Sequence, residues 1–144
     1  MMYARIVKGV LEKAYRNINQ GAFEEVVKQF DPQVHFTFNG THALSIDTHS
    51  RDEALRWFHQ LRQLFPTFTI QAKAITVASM PWNTLVASRF VARYTLADGT
   101  AYENHGLQVV RIVWGKVVED HISEDTALLI KALQHAENLN IPTA

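Results

Sequence analysis

Apolar and polar positions near the start of the chain predict two helices. Apolar residues recur at helical spacing over residues 3–18, which is typical of an amphipathic helix. Gly21 follows and favours a stop, because glycine adopts the left-handed conformation that ends many helices. A short second helix is predicted over residues 22–30, and Pro32 closes it because proline has no amide hydrogen for a continuing helix.

The next pattern changes to strict alternation. Val34, Phe36 and Phe38 fall on one face of residues 34–38, which predicts a half-buried strand. Asn39-Gly40 ends it, and residues 41–49 show no period and are interpreted as a loop. Ser50 with Glu53 three positions later is a capping-box pattern, so a third helix is expected from there to Pro66.

The remaining chain predicts four long strands and a last helix. The strands cover about residues 68–79, 85–96, 101–114 and 117–123. Turns separate them at residues 80–83, at Asp98-Gly99, where both positions tolerate positive φ, and at Gly115-Lys116. Leu129, Leu133 and Ala136 share a stripe of the final helix.

This order of elements predicts one α+β domain over residues 1–144. Runs of helices followed by runs of strands favour α+β over a parallel sheet. Long strands joined by tight hairpins twist and coil, so we expect a curved antiparallel sheet. Helices packed on its concave face would leave an α+β cone whose open end is a pocket.

Composition narrows the function classes. The chain has 14 basic and 14 acidic residues and a pI of about 7.1, so no basic excess exists to hold a nucleic acid. It contains no cysteine, which excludes disulfides and thiolate metal sites. The first residues lack a signal-peptide pattern and no stretch is long and apolar enough to span a bilayer. We therefore expect a soluble, cytoplasmic protein that binds neither nucleic acid nor membrane.

Three segments in the second half resemble a known family. They are Pro81-Trp82-Asn83-Thr84, the stretch over residues 98–106, and residues 114–126, where Gly-Lys and aliphatic residues lead to an acidic strand end. With the element order, they resemble SnoaL-like proteins of the nuclear transport factor 2-like superfamily, which includes ketosteroid isomerases and polyketide cyclases. The resemblance implies a ligand pocket and cofactor-independent isomerase, cyclase or hydratase chemistry. His121 stands where such cyclases often carry tryptophan.

The cluster of Glu119, Asp120, Glu124 and Asp125 with His121 is the best place to look for a base. Within it Asp125 is the candidate acid/base, because it aligns with the acid/base aspartate of the SnoaL-like pattern. A carboxylate at the mouth of an apolar cone loses hydration, which raises its pKa toward a useful range. The alternative is that Asp125 caps the final helix, a role aspartate favours. On a regular strand His121 shares the face of Asp125, and we expect this face to look inward, with His121 relaying a proton.

Tyr102 and Asn104 share a face of the neighbouring strand and are candidates to hydrogen-bond a carbonyl or enolate oxygen. The alternatives are that Tyr102 packs in the core and that Asn104 bonds loop backbone. The aromatic residues expected to line the pocket and contact a ligand are Phe36, Phe38, Trp57, Phe90 and Tyr94.

No local spacing indicates a metal or a cofactor. Asp47, His49 and Asp52 cluster in one loop without a recognised ligand pattern, so no metal site is predicted. Phosphate-loop, dinucleotide and nucleophile-elbow motifs are absent as well. The predicted partner is a small apolar carbonyl compound, transformed or only held. A homodimer through the open sheet face is the further expectation, with Arg89, Arg93, Glu103 and His105 on outward positions.

Overall fold

Residues 2–80 and 82–139 are described by a computed structural model with four helices and six strands. Their order is the predicted one except for one additional short strand before the third helix. The helices are α1 (Met2–Asn19), α2 (Phe23–Val27), α3 (Arg51–Leu64) and α4 (Thr126–Leu139). The strands are β1 (Phe30–Phe38), β2 (Ile46–Thr48), β3 (Thr69–Met80), β4 (Asn83–Thr95), β5 (Ala101–Val113) and β6 (Lys116–Glu124).

All six strands form one curved, unclosed sheet in the order β2-β1-β6-β5-β4-β3. The four late strands are antiparallel neighbours joined by hairpins, and the α+β class is confirmed. β1 joins β6 in parallel and β2 in antiparallel, so the sheet is mixed rather than purely antiparallel. α3 and four strands, β2 to β5, lie between β1 and β6 along the chain, which provides the long connection that a parallel pair requires.

Two local expectations need correction. α2 ends at Val27 and β1 starts at Phe30, so Pro32 lies within a strand and does not close a helix. Proline is tolerated there because the β1–β6 register is irregular between Phe30 and His35. The segment predicted as a loop, residues 41–49, contains the short strand β2. Three residues are too few to show a period. The predicted 80–83 turn includes Pro81, which lies outside the described residues.

Several turn and cap predictions are confirmed. Ser50 caps α3, and its side chain accepts a hydrogen bond from the Glu53 amide at 3.2 Å. Gly21, just past α1, has φ 75°, and Gly99 in the β4–β5 hairpin has φ 86°. Side chains with a Cβ rarely adopt these conformations.

The helices pack on the concave face of the sheet. Most of their buried residues and of the inward strand residues form one large core that includes Tyr15, Phe58 and Leu129. Val7, Val86 and Val110 form a smaller second cluster. Gly106 on β5 faces this core, and a Cβ there would overlap the ring of Phe90 and lie 2.7 Å from the Ser123 carbonyl oxygen. No helix among residues 2–80 and 82–139 combines the length and apolar character needed to cross a membrane.

Candidate functional site

A cavity of about 240 Å³ lies inside the cone, between the helices and the concave face of the sheet. Its walls are mostly apolar and include Leu11, Phe58, Val86, Val110 and Leu129. Lys13, Glu25 and Gln29 also line the cavity and are exposed. The cavity therefore opens to solvent between α1 and α2.

A chain of buried polar side chains crosses this apolar space. The hydroxyl of Tyr15 on α1 lies 2.8 Å from Ser88 Oγ on β4 and donates to Gln108 Oε1 on β5 at 2.7 Å. Gln108 Nε2 donates to Asp120 Oδ1 on β6 at 2.7 Å. Because Tyr15 has one proton to give, Ser88 donates to Tyr15, and the donors run in one direction toward Asp120.

Asp120 is a carboxyl group inside the cone. It is 4 % exposed and lines the cavity. Burial raises the pKa of Asp120 to about 6, against the hydrogen bond from Gln108 and the charge of His121, which both lower it. Burial also raises the pKa of Tyr15, which therefore stays a neutral hydroxyl at ordinary pH.

Glu124 is a second carboxyl group of the cavity, two inward positions further along β6. Tyr94 donates its hydroxyl proton to Glu124 Oε1. Burial raises the pKa of Glu124 to about 8, because the charged form loses hydration in an apolar wall. At neutral pH this carboxyl group is mostly protonated, and its second oxygen carries a proton to donate.

Asp120 and Glu124 thus differ in protonation at neutral pH although both belong to one wall. The pKa of Asp120 lies below 7 and that of Glu124 above it. Two carboxyl groups whose environments separate their pKa values in this way can serve as base and acid. The cavity therefore has an ionised acceptor and a neutral donor beside an apolar space.

The inward orientation expected for His121 and Asp125 is wrong. His121 lies on the opposite sheet face, where its Nδ1 is 2.7 Å from Thr37 Oγ1. Asp125 is exposed, and its Oδ1 accepts from the Leu128 amide at 3.3 Å at the start of α4. This is the helix-cap alternative. β6 lies beside β1, and Asp120 and Ile122 pair with Phe36 and Phe38, whose side chains point into the core.

Tyr102 and Asn104 face the concave side but lie outside the cavity lining. The Tyr102 hydroxyl is 2.8 Å from His135 Nδ1 on α4. Asn104 is 1 % exposed, donates to the Asp125 carbonyl at 3.0 Å and accepts from the Asp125 amide at 3.2 Å. Both residues therefore anchor α4 to the sheet, which is the backbone-bonding alternative for Asn104.

Four of the five predicted aromatic residues line the cavity: Phe38, Trp57, Phe90 and Tyr94. Phe36 packs behind them, with its ring 5.2 Å from that of Trp57. Contact with a ligand by the four lining residues stays a prediction.

The sequence argument missed Tyr15, Ser88 and Gln108, and within the carboxylate cluster it preferred Asp125 to Asp120 and Glu124. The alternation of residues along the strands could have identified Gln108 and Asp120 as inward-facing. On β5, the alternation that groups Tyr102, Asn104 and Gly106 also includes Gln108. On β6, Asp120 lies on the same face as the apolar Ile122. The opposite set of His121, Ser123 and Asp125 is entirely polar. An apolar residue identifies the buried face better than a cluster of charges does.

The cone and its carboxyl-bearing apolar cavity define a class: α+β proteins with an internal small-molecule-sized site. Within this class the chain belongs to the SnoaL-like domain family, whose model matches residues 11–120. No curated protein sequence matches the chain.

Solved structures share the fold at low identity. Wild-type IdmH, a putative polyketide cyclase from Streptomyces antibioticus, is 22 % identical with a TM-score of 0.72, over 88 % of this chain and 97 % of that one. An NTF2-like protein of unknown function from Burkholderia pseudomallei is 16 % identical with a TM-score of 0.74, over 88 % and 95 %. TerC co-crystallised with polyporic acid is 11 % identical with a TM-score of 0.71, over 89 % and 97 %. These likenesses show the fold.

Proposed function

We propose that this protein binds a small, largely apolar carbonyl compound in the cavity and catalyses a cofactor-independent proton transfer on it, with Asp120 as base and Glu124 as acid. The observation that carries this proposal is that both carboxyl groups line the same apolar cavity. Carboxyl groups are otherwise placed on the surface, since burying them is costly.

The chemistry is an enolisation. Asp120 takes a proton from a carbon that is conjugated with the carbonyl through C=C bonds, and the electron pair of that C–H bond shifts through this conjugated system toward the carbonyl oxygen, forming an extended enol. The carbonyl oxygen receives the proton of Glu124, so charge is not left on the substrate. Return of a proton at another carbon gives isomerisation, and attack of the enol carbon on a second carbonyl gives ring closure. Neither outcome needs an oxidant or a reductant.

The positions of the two groups limit the size of the substrate. Asp120 and Glu124 are separated by four residues of one strand, which corresponds to about 13 Å between their Cα atoms. Ile122 lies between them on the same face and also lines the cavity. A molecule that contacts both would be several fused or linked rings long. The putative polyketide cyclase and the polyporic acid complex among the similar structures agree with such a class.

The binding step can be tested by blocking the cavity. Ala14 on α1 lines it and is half-buried, so Ala14→Trp should fill the space with little damage to the sheet. We expect saturable binding of one or more members of a panel of cyclic ketones and polyketide-like compounds to the native protein, weakened at least tenfold in Ala14→Trp. Isothermal titration calorimetry is the measurement.

Arg16→Trp is the matched control, because Arg16 lies on the same helix and is exposed. It should bind like the native protein. Equal affinity in native protein and Ala14→Trp would show that the compounds bind elsewhere. Binding without turnover would favour the alternative of a protein that only holds its ligand.

For the assembly we propose a homodimer through the outer face of the sheet. Leu85, Leu107 and Val109 are exposed there on adjacent strands, and Leu107 is 59 % exposed. Trp82 and Trp114 extend the patch at the hairpin end, with ring centroids 6.3 Å apart. An apolar patch of this kind on a sheet face is typical of a protein interface.

Leu107→Glu is expected to convert a dimer into a monomer, because it places a charge at the centre of this patch. Sedimentation velocity at micromolar concentration is the measurement. Ile6→Glu is the control, since Ile6 is 57 % exposed on α1, away from the sheet face. A native protein that sediments as a monomer, or a dimer that survives Leu107→Glu, would contradict the interface.

A further inference from the structure

Three histidines and two carboxylates meet on the outer face of the sheet, opposite the cavity. His35 on β1 is the register partner of Glu119 on β6, and His121 on β6 is the partner of Thr37. Asp47 on β2 and His49 just after it complete the group. These residues come from three segments of the chain, so no local sequence spacing identifies the group as a whole.

The side chains converge closely. The ligand-type atoms of His35, Glu119 and His121 all lie within 4.8 Å of one another, and these three residues are half-buried. The same limit holds for His35 with Asp47 and His49, which are exposed. The ring of His35 is 4.2 Å from that of His49 and 4.8 Å from that of His121.

We propose that His35, Glu119 and His121 bind one divalent transition-metal ion of the Zn²⁺ class, with water completing the coordination. Two imidazoles and a carboxylate suit Zn²⁺ and its neighbours, and not Mg²⁺ or Ca²⁺, which prefer oxygen. Zinc ligands in a tetrahedron lie about 3.3 Å apart, so displacements on the order of 1 Å at the side-chain ends bring the atoms of His35, Glu119 and His121 to that spacing.

The surrounding contacts hold the ligands in suitable orientations. Thr37 Oγ1 is 2.7 Å from His121 Nδ1, which leaves Nε2 toward Glu119 Oε1 at 3.2 Å. Arg111 donates to the other carboxylate oxygen, Glu119 Oε2. Metal-binding histidines and carboxylates characteristically have such outer partners. Asp47 Oδ1 lies 2.8 Å from His35 Nε2 at the edge of the group.

Charge and scaffold favour an ion over a set of surface ion pairs. Glu119 and Asp47 contribute two negative charges and Arg111 one positive charge, so the group keeps a net negative charge for a cation. Surface ion pairs contribute little, about 0–1 kcal/mol each, and give no reason for three imidazoles to share one place. A bound ion would tie β1 and β6 together at the parallel pair of the sheet.

The test is a titration of the tag-free protein with ZnCl₂ by isothermal titration calorimetry, with thermal unfolding measured with and without Zn²⁺. We expect one ion per chain and a higher Tm in its presence, because an ion that binds the folded state stabilises it. His35→Gln and His121→Gln should each weaken binding at least tenfold and remove the Tm rise. Glu119→Gln is the second variant should His35→Gln fail to fold.

His59→Gln is the matched control, since His59 is an exposed histidine that pairs with Glu24 on another part of the molecule. It should keep the native affinity. Absence of stoichiometric binding, or binding that persists in both His35→Gln and His121→Gln, would overturn the proposal. So would loss of binding in His49→Gln with retention in His121→Gln, because the ion would then belong to the exposed trio.

Discussion

Asp120→Asn is expected to lower turnover of a carbonyl substrate by about 10²–10⁴-fold, the range over which a positioned general base contributes. Asparagine has the same shape and its Oδ1 can still accept the hydrogen bond from Gln108. The fold and the cavity should therefore be retained while the proton acceptor is lost. The measurement is kcat and KM on a compound first identified by binding, with KM expected to change little.

Asp125→Asn is the matched control, because it makes the same aspartate-to-asparagine change at the residue that directly follows β6. Asparagine and aspartate cap helices about equally well, and Asp125 is exposed, so turnover and stability should both stay native. Asp125→Ala should lose about 1 kcal/mol of stability with its cap and keep its activity. Loss of activity in Asp125→Asn with native activity in Asp120→Asn would restore the sequence-based assignment.

The sequence predicted the architecture well because its signals are local. Helix periodicity, the Ser50 cap and the Asp98-Gly99 turn each depend on a few neighbouring residues, and the structure contains each of them. Antiparallel order follows from short hairpins. These features need no knowledge of which distant segments touch.

The site was predicted less well because its geometry depends on distant pairings. Tyr15 meets Ser88 and Gln108 across 73 and 93 residues of chain. The inward face of β6 is decided by its pairing with β1, where Asp120 lies beside Phe36. Without knowledge of that pairing, the face of His121 and Asp125 is as good a candidate for the cavity wall as the face of Asp120. The resemblance pointed to the end of β6, where Asp125 and His121 lie outside the cavity that Asp120 and Glu124 line.

The same dependence on distant pairing separates the two sides of β6. Alternate residues send Asp120 and Glu124 into the cavity and Glu119 and His121 to the outer face. One short acidic segment therefore supplies both the proposed acid/base pair and the proposed metal ligands. A one-residue slip of β6 would exchange the two sets, so the β1–β6 register determines both proposals.

Glu124→Gln is expected to remove a large dependence of stability on pH. The pKa of Glu124 is about 8 in the folded protein and 4.5 as its ordinary value. Between these two values the folded state binds more protons than the unfolded state, so rising pH favours unfolding. Stability from the neutral form is present in full below pH 4.5 and is lost as pH rises toward 8. The loss is about 3–5 kcal/mol.

Comparison of the two proteins isolates this group from the other titrating residues. Glutamine is neutral at every pH, and its Oε1 can still accept the hydrogen bond from the Tyr94 hydroxyl, so the native protein and Glu124→Gln should unfold alike at about pH 4. At pH 8.5 the variant should be the more stable, by a Tm difference on the order of 10 °C. Urea unfolding across this range gives the free energies. If the free energies of unfolding of the two proteins change with pH in parallel, Glu124 ionises as it does in water. The cavity would then contain no neutral acid to act together with Asp120.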